Sequence, residues 1–251
     1  MNAEEQKSEE LSISDRKSIL LIDNDSLPSD ASRGVEEIDL SILEDREFDA
    51  LVDRIIGYKY LSKIESTRKD QPLLSKQGEA KWSKKSPVDG YSSSYRDIKE
   101  ILKVSGMKDG DSFVDIGSSF GRVGCVIGAN FPNTQFSGYE IVPERVAEAQ
   151  RIADFLQLDN VNYFHADVSA DHFEIPEADW FFFCDPLDGD ELAYTLQKIH
   201  NRVSNKEVRL IAKYTGGLNK YAKSPYLEFI SKTGKEGTIG ECWFYRFKNA
   251  S

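Results

Sequence analysis

At 251 residues the chain has room for one buried α/β core and an appendage, and its net charge of −11 disfavours nucleic acid as a partner because acidic surfaces repel phosphate backbones. The composition, with 39% hydrophobic and 30% charged residues, is that of a globular protein, and no apolar run approaches the length of a membrane span. We therefore expect a cytoplasmic protein with no membrane partner.

The first 50 residues carry almost all of the net charge, with fifteen Asp and Glu against five Lys and Arg. Up to residue 34 this stretch contains few apolar residues, and such a composition buries too little surface to offset the entropy of an ordered chain. We predict that residues 1–34 form an acidic, mostly disordered tail.

Residues 35–89 are predicted to form a helical extension followed by a basic connector. Apolar residues recur at helical spacing from Ile38 to Ile56, and Ser41 is placed to cap this helix. Lysines and arginines crowd the stretch 59–85, interleaved with aromatic residues. A solvated surface is the ordinary explanation of such a charge run, and a docking surface for an acidic partner, nucleic acid included, is the alternative.

Beyond this connector strands and helices alternate, which indicates one core domain over residues 90–251. Short apolar runs predict seven strands, at 112–116, 134–139, 161–165, 180–184, 208–213, 226–232 and 242–247. Helical patterns lie between them, the longest at 143–156 and 189–203. Repeated βα units predict an α/β fold with an open, doubly wound, mostly parallel sheet, in which ligands bind at the carboxyl ends of the strands.

The first of these strands ends in an acidic residue, Asp115, and turns through Gly117 and Gly121 into a helix. Gly117 lets the backbone approach a ligand closely, and Gly121 lets the start of the helix pack against it. Between the glycines, Ser118 and Ser119 hold free amides at the helix start that suit a carboxylate of a ligand. The turn therefore predicts a binding site for a nucleoside cofactor.

Acidic residues also follow the next two strands. Glu140 ends the second strand, where a carboxylate can accept both ribose hydroxyls of an adenosine, and Ile141 can press against the base. Asp167, followed by Val168, comes after the third strand and can accept from the adenine amino group. An acid after a strand is usually a turn residue, but three acids after three successive strands predict one adenosine site.

In this order of motifs, residues 90–248 resemble the class I S-adenosylmethionine-dependent methyltransferases, whose fold is a Rossmann-like sheet with an antiparallel last strand. Within that family the segments 89–95, 113–117 and 138–141 look most like the histone lysine methyltransferases that lack a SET domain. The resemblance implies S-adenosyl-L-methionine as the cofactor. It also implies site roles for the residues that match the family's motifs, which are Asp115, Gly117, Gly121, Glu140, Asp167, Asp185 and Pro186.

Asp185 and Tyr91 are the predicted catalytic residues, and Asp185 is also predicted to lie beside the cofactor. An amine acceptor must arrive unprotonated, and Asp185, at the end of the apolar strand 180–184, can orient its lone pair while accepting an N–H. Tyr91 and Tyr95 precede the first core helix, where related enzymes contact the methionine end of the cofactor, and packing of either ring against the core is the alternative. Asp188 can attract a cationic amine or cap the following helix.

We therefore predict a methyltransferase that acts on an amine nitrogen of a lysine-like protein acceptor, with a small-molecule acceptor as the alternative. Two other classes stay open. One is an NAD-dependent oxidoreductase, whose fingerprint has a glycine where Ser119 stands, and the other is a non-catalytic cofactor-binding scaffold. The three cysteines form no CxxC pair and the histidines show no ligand spacing, so no metal site is predicted.

Overall fold

The structure, a computed structural model, describes residues 11–24, 43–58, 74–75, 78–79, 93–187, 189–203, 206–213, 219–234 and 240–248. The described helices are α1 (Ile13–Ser18), α2 (Asp45–Ile56), α3 (Tyr95–Ser105), α4 (Arg122–Asn130), α5 (Pro143–Phe155), α6 (Gly189–Arg202) and α7 (Asn219–Ala222). The described strands are β1 (Leu74–Ser75), β2 (Gly78–Glu79), β3 (Ser112–Ile116), β4 (Gln135–Glu140), β5 (Val161–His165), β6 (Trp180–Cys184), β7 (Arg209–Lys213), β8 (Leu227–Thr233) and β9 (Cys242–Phe247). Within these ranges no helix is long and apolar enough to cross a membrane.

Seven of the strands form one sheet in the order β5-β4-β3-β6-β7-β9-β8, while β1 and β2 pair with each other inside the predicted connector. Strands β3 to β7 run parallel, and β9 pairs antiparallel with both β7 and β8. Strand β6 is buried on both faces because α1 to α5 cover one face of the sheet and α6 and α7 cover the other. The predicted doubly wound, mostly parallel seven-stranded sheet with an antiparallel last strand is confirmed.

Helix α1 lies inside the segment that the composition predicts to be disordered, and it packs on the core. The side chains of Ile19 and Leu20, directly after α1, are fully buried. The side-chain amide of Asn130 donates to the Leu20 carbonyl oxygen at 2.9 Å and accepts from the Ile22 amide at 2.8 Å. The prediction of a mostly disordered tail is therefore wrong for residues 11–24, where a few apolar side chains are buried against the core.

Helix α2 starts later than its apolar periodicity predicts. It begins at Asp45, and the Glu47 carboxylate accepts a hydrogen bond from the Glu44 amide at 3.3 Å, which stabilises the first turn. The predicted start at Ile38 and the predicted cap Ser41 lie outside the described residues. The apolar side of α2 is buried against the helices beside it, so α2 packs on the core.

Tyr163 of β5 lies across the neighbouring strand and reaches helix α4. Its hydroxyl donates to the Gly121 carbonyl oxygen at 2.7 Å. An added Cβ atom would lie 2.5 Å from the tyrosine ring at Gly138 and 2.2 Å from its hydroxyl oxygen at Gly124. Glycines at these two positions therefore let Tyr163 reach the residue at which the loop after β3 becomes a helix.

We expect Gly124→Ala to destabilise the protein by about 2 kcal/mol, because the new methyl group would overlap the Tyr163 hydroxyl and force α4 away from the sheet. Alanine normally stabilises a helix interior by roughly 1 kcal/mol relative to glycine, so the sign of the change is informative. Urea denaturation of the wild type and the variant measures it. A gain in stability would show that α4 can move away without cost.

Candidate functional site

The three predicted acids lie at the tips of three neighbouring strands. In the sheet, β4 stands between β3 and β5, so the carboxyl ends of all three strands meet at one edge. The amide of Gly117 donates to the Tyr139 carbonyl oxygen at 2.8 Å, and the amide of Ala166 donates to the Glu140 carbonyl oxygen at 3.0 Å. The loops that follow the three strands are thus joined to each other through their backbones.

The loop between β3 and α4, residues 117–121, turns sharply and is called the glycine loop below. Its backbone angles explain why two of its residues are glycines. Gly117 and Gly121 have φ angles of 80° and 86°, and Ser119 between them has 50°, all in the left-handed region that favours glycine. A Cβ atom at Gly117 would lie 2.5 Å from the Cβ atom of Pro186. The segment after β6 therefore packs directly on the glycine loop, which joins the predicted cofactor site to the predicted acceptor site.

A small cavity lies between this loop and the strand ends. It measures about 20 Å³, enough for one polar group of a ligand, and its lining residues are Ser93, Asp115, Gly117, Ser118, Ser119, Phe120, Gly121, Arg122, Val123, Phe182 and Cys184. The hydroxyl oxygen of Ser118 is buried there, and among the described residues nothing donates to it or accepts from it. A ligand group or a water bound in the cavity would satisfy this hydroxyl.

Asp115 is the buried acid among the residues that line the cavity. Its side chain is 2% exposed, and within the described part of the chain it takes part in no hydrogen bond or ion pair. Burial raises the pKa of the Asp115 carboxyl well above its usual range, and the neighbouring Glu140 carboxylate adds to the rise. A positively charged ligand group at this position would stabilise the ionised form.

Glu140 holds the glycine loop from the adjacent strand tip. One carboxylate oxygen accepts from the Ser119 amide at 2.9 Å, and the other accepts from the Val142 amide at 3.0 Å. Burial raises the pKa of Glu140, while Arg145 and the backbone amides act in the opposite direction. A carboxylate has about four acceptor positions, so both oxygens keep capacity for a further donor.

The remaining residues predicted to contact the base lie beyond β4 and β5. The Asp167 carboxylate accepts from the amide and the hydroxyl of Ser169, at 2.9 and 2.6 Å, which is the turn geometry expected of an acid after a strand. Ile141 is half-buried, and its carbonyl oxygen lies 3.1 Å from a ring nitrogen of His165 at the end of β5. Val168 is buried in the apolar cluster on the α6 side of the sheet, so it packs with the core.

At the predicted acceptor site, Asp185 forms an ion pair with Lys220 of α7. Its φ angle of 53° is uncommon for a residue with a side chain, and it turns the chain sharply after β6. Sequence reasoning missed Lys220, because it lies in a short helix 35 residues after Asp185 and belongs to no motif. Tyr91 and Asp188 lie outside the described residues.

A buried charge cluster, which the sequence did not reveal, connects helix α2 to the glycine loop. Arg122, the residue after Gly121, donates to the Asp49 carboxylate at 2.7 Å and to the Asp53 carboxylate at 3.1 Å. The hydroxyl of Tyr95 donates to Asp53 at 2.7 Å. Of the two roles considered for Tyr95, packing against the core is therefore the one that its fully buried ring fulfils.

No family model matches the sequence, and no curated protein matches it either. Solved structures share its fold. A mutant of MtNAS solved in complex with S-adenosylmethionine is 15% identical with a TM-score of 0.50, over 98% of this chain and 88% of that chain. A second structure of the same mutant is 16% identical with a TM-score of 0.50, over 98% and 86%.

A TehB-like SAM-dependent methyltransferase from Corynebacterium glutamicum is 14% identical with a TM-score of 0.49, over 61% of this chain and 88% of that chain. At these identities the two MtNAS structures establish the fold alone. It is the Rossmann-like sheet that the sequence predicts, with seven strands flanked by helices on both faces.

We expect Asp115→Asn to flatten the pH dependence of stability. The carboxyl pKa is higher in the folded protein than the usual 3.8, so the unfolded chain loses its proton first and the free energy of unfolding falls as pH rises above that value. The fall amounts to at most about 1.4 kcal/mol per pH unit, and the variant should lack this contribution. Urea denaturation between pH 4 and pH 8 measures it.

The exposed Asp159 provides the control, since Asp159→Asn should leave the slope of the wild type unchanged. Identical slopes for wild type and Asp115→Asn would mean that Asp115 ionises as readily in the folded protein as in water.

Proposed function

We propose that this protein is an S-adenosylmethionine-dependent methyltransferase that acts on an amine nitrogen. The observation that carries the proposal is the pair of buried carboxylates, Asp115 and Glu140, at the glycine loop. S-Adenosylmethionine brings a sulfonium and an ammonium group, and its net charge is positive. A site with two carboxylates of raised pKa favours such a ligand, because the ligand's charge offsets the cost of burying theirs.

Asp115 and Ser119 argue against the NAD-dependent oxidoreductase that the sequence left open. A dinucleotide places a doubly charged pyrophosphate on the glycine loop. There it would lie against the buried Asp115 and against Ser119, whose side chain and left-handed backbone stand where the NAD fingerprint has glycine. Like charges at close range in a buried site cost several kcal/mol.

The residues at the strand tips fit the parts of S-adenosylmethionine. In our proposal Asp115 binds the cationic methionine end, and the free hydroxyl of Ser118 together with the loop amides binds its carboxylate. Glu140 accepts the ribose hydroxyls. Asp167 accepts the adenine amino group beside Ile141. We assign Val168, which is buried in the core, to packing beneath this site.

S-Adenosylmethionine would supply a methyl group on a sulfonium: transfer to the acceptor nitrogen would break the carbon–sulfur bond, leave S-adenosylhomocysteine with a neutral sulfur, and let the methylated nitrogen release one proton to water. The protein's part is to align the acceptor and exclude water. Asp185, at the end of β6 and next to Pro186 on the glycine loop, is placed to accept an N–H of the amine and so direct its lone pair. Tyr91 stays a proposed contact of the cofactor's methionine end.

We propose two alternative classes of acceptor, a protein and a small molecule. The sequence favours a lysine-like amine of a protein, by resemblance to the histone-directed enzymes. One observation favours the small-molecule alternative: Lys220 already neutralises Asp185, so the site offers a cationic lysine little net attraction.

S-Adenosylhomocysteine should bind to the full chain in titration calorimetry, and NAD at the same concentration should give no signal. Glu140→Gln should weaken S-adenosylhomocysteine binding about tenfold, because the ribose hydroxyls lose a charged acceptor. Glu174→Gln, at an exposed position, is the matched control and should bind as the wild type does. Binding of NAD in preference to S-adenosylhomocysteine would contradict the proposal.

Asp185→Asn should lower the turnover number for methyl transfer about 100-fold and leave S-adenosylhomocysteine affinity nearly unchanged, because the carboxylate acts on the acceptor and not on the cofactor. The assay follows transfer of a labelled methyl group from S-adenosylmethionine to components of a cell extract. Unchanged transfer by Asp185→Asn would remove Asp185 from the reaction. Binding of the cofactor with no transfer by the wild type would support the scaffold alternative.

A further inference from the structure

The ion pair of Asp185 and Lys220 is a fixed part of the fold. The Lys220 ammonium donates to one carboxylate oxygen of Asp185, and it also donates to the Leu187 carbonyl oxygen at 2.8 Å. It therefore holds the segment after β6 at two points. Both side chains remain partly accessible, at 22% for Lys220 and 26% for Asp185.

The helix that carries Lys220 is anchored by its next residue. Tyr221 is fully buried, and its ring meets Phe183 of β6 edge to face at 6.2 Å and lies 6.4 Å from the ring of Tyr245 of β9. Helix α7 is only four residues long, so this anchor sets the position of Lys220. A side chain held in this way loses little conformational entropy when it contacts a ligand.

The site beside the glycine loop thus presents a negative and a positive group next to each other. A cationic acceptor such as a protein lysine would bring its charge close to the Lys220 ammonium as well as to Asp185, and the two effects would largely cancel. An acceptor that carries an acidic group beside an unprotonated amine suits both residues, because the amine still has an N–H to donate to Asp185. Its amine meets the second oxygen of Asp185, and its acidic group meets Lys220.

We propose that the Asp185–Lys220 pair is a dipolar acceptor site, which selects a small molecule bearing a carboxylate or similar anionic group near its amine, as an amino acid does. Lys220 is then a specificity-determining residue. The inference rests on the proposed function, since it names the class of acceptor for the same methyl transfer.

The first experiment asks where the methyl group goes. The full chain is incubated with S-adenosylmethionine carrying a labelled methyl group, once with the low-molecular-weight fraction of a cell extract and once with its protein fraction. Label should enter a small molecule that an anion exchanger retains at pH 11, where amines are uncharged and carboxylates keep their charge. Label in protein, or in a small molecule that the exchanger does not retain, would overturn the inference.

The second experiment tests Lys220 on the labelled acceptor. Lys220→Ala should raise KM for that acceptor ten- to a hundred-fold, roughly the value of a charged hydrogen bond, with a much smaller change in the turnover number. Lys220→Arg should restore most of the affinity because it keeps the charge. Lys223 is an exposed lysine three residues further on, and Lys223→Ala should leave both KM and the turnover number unchanged.

Binding of S-adenosylhomocysteine distinguishes a failure of this inference from a failure of the proposed function. A Lys220→Ala variant that binds it as the wild type does is folded at the cofactor site, and an unchanged KM in that variant would overturn the role of Lys220. Failure of the wild type to bind S-adenosylhomocysteine, or to transfer label to either fraction, would instead contradict the proposed function, and the inference would fall with it.

Discussion

The functional interpretation of this fold depends on one unfavourable interaction, the burial of the Asp115 carboxylate without a hydrogen bond from the described residues. A fold selected for stability alone would place an apolar residue at position 115. The neighbouring positions on the opposite face of β3 do carry apolar residues, Val114 and Ile116. The sheet keeps an acid there, beside a second buried acid on the next strand tip. Such an arrangement is consistent with a site whose charge is completed by a cationic ligand.

Helix α2 contributes to this site although it precedes the sheet in the chain. Arg122 occupies the first position of α4, and its two carboxylate partners both lie on α2. Removing either side of a buried ion pair leaves an uncompensated charge, which costs roughly 3–5 kcal/mol. Helix α2 and the glycine loop are therefore coupled energetically, and the loop cannot rearrange freely while α2 is in place.

Much of the sheet and of the glycine loop could be predicted from sequence, because apolar runs, a pair of glycines after a strand and acids after strands are local patterns. The contacts made by residues distant in sequence could not. Arg122 resembles any basic residue at a helix start, and its pairing with Asp49 and Asp53 depends on how α2 docks. Lys220 likewise belongs to no sequence motif, and only the fold places it beside Asp185. The composition did not predict that residues 11–24 are ordered, because only three of their apolar side chains are fully or nearly buried. These are Leu11, Ile19 and Leu20.

Tyr163 connects the edge strand β5 to the glycine loop. The ring starts on the outermost parallel strand, crosses β4 over Gly138, and ends at the carbonyl oxygen of Gly121. A shift of that outer strand would therefore also move the Gly121 carbonyl oxygen, at the turn beneath the proposed cofactor.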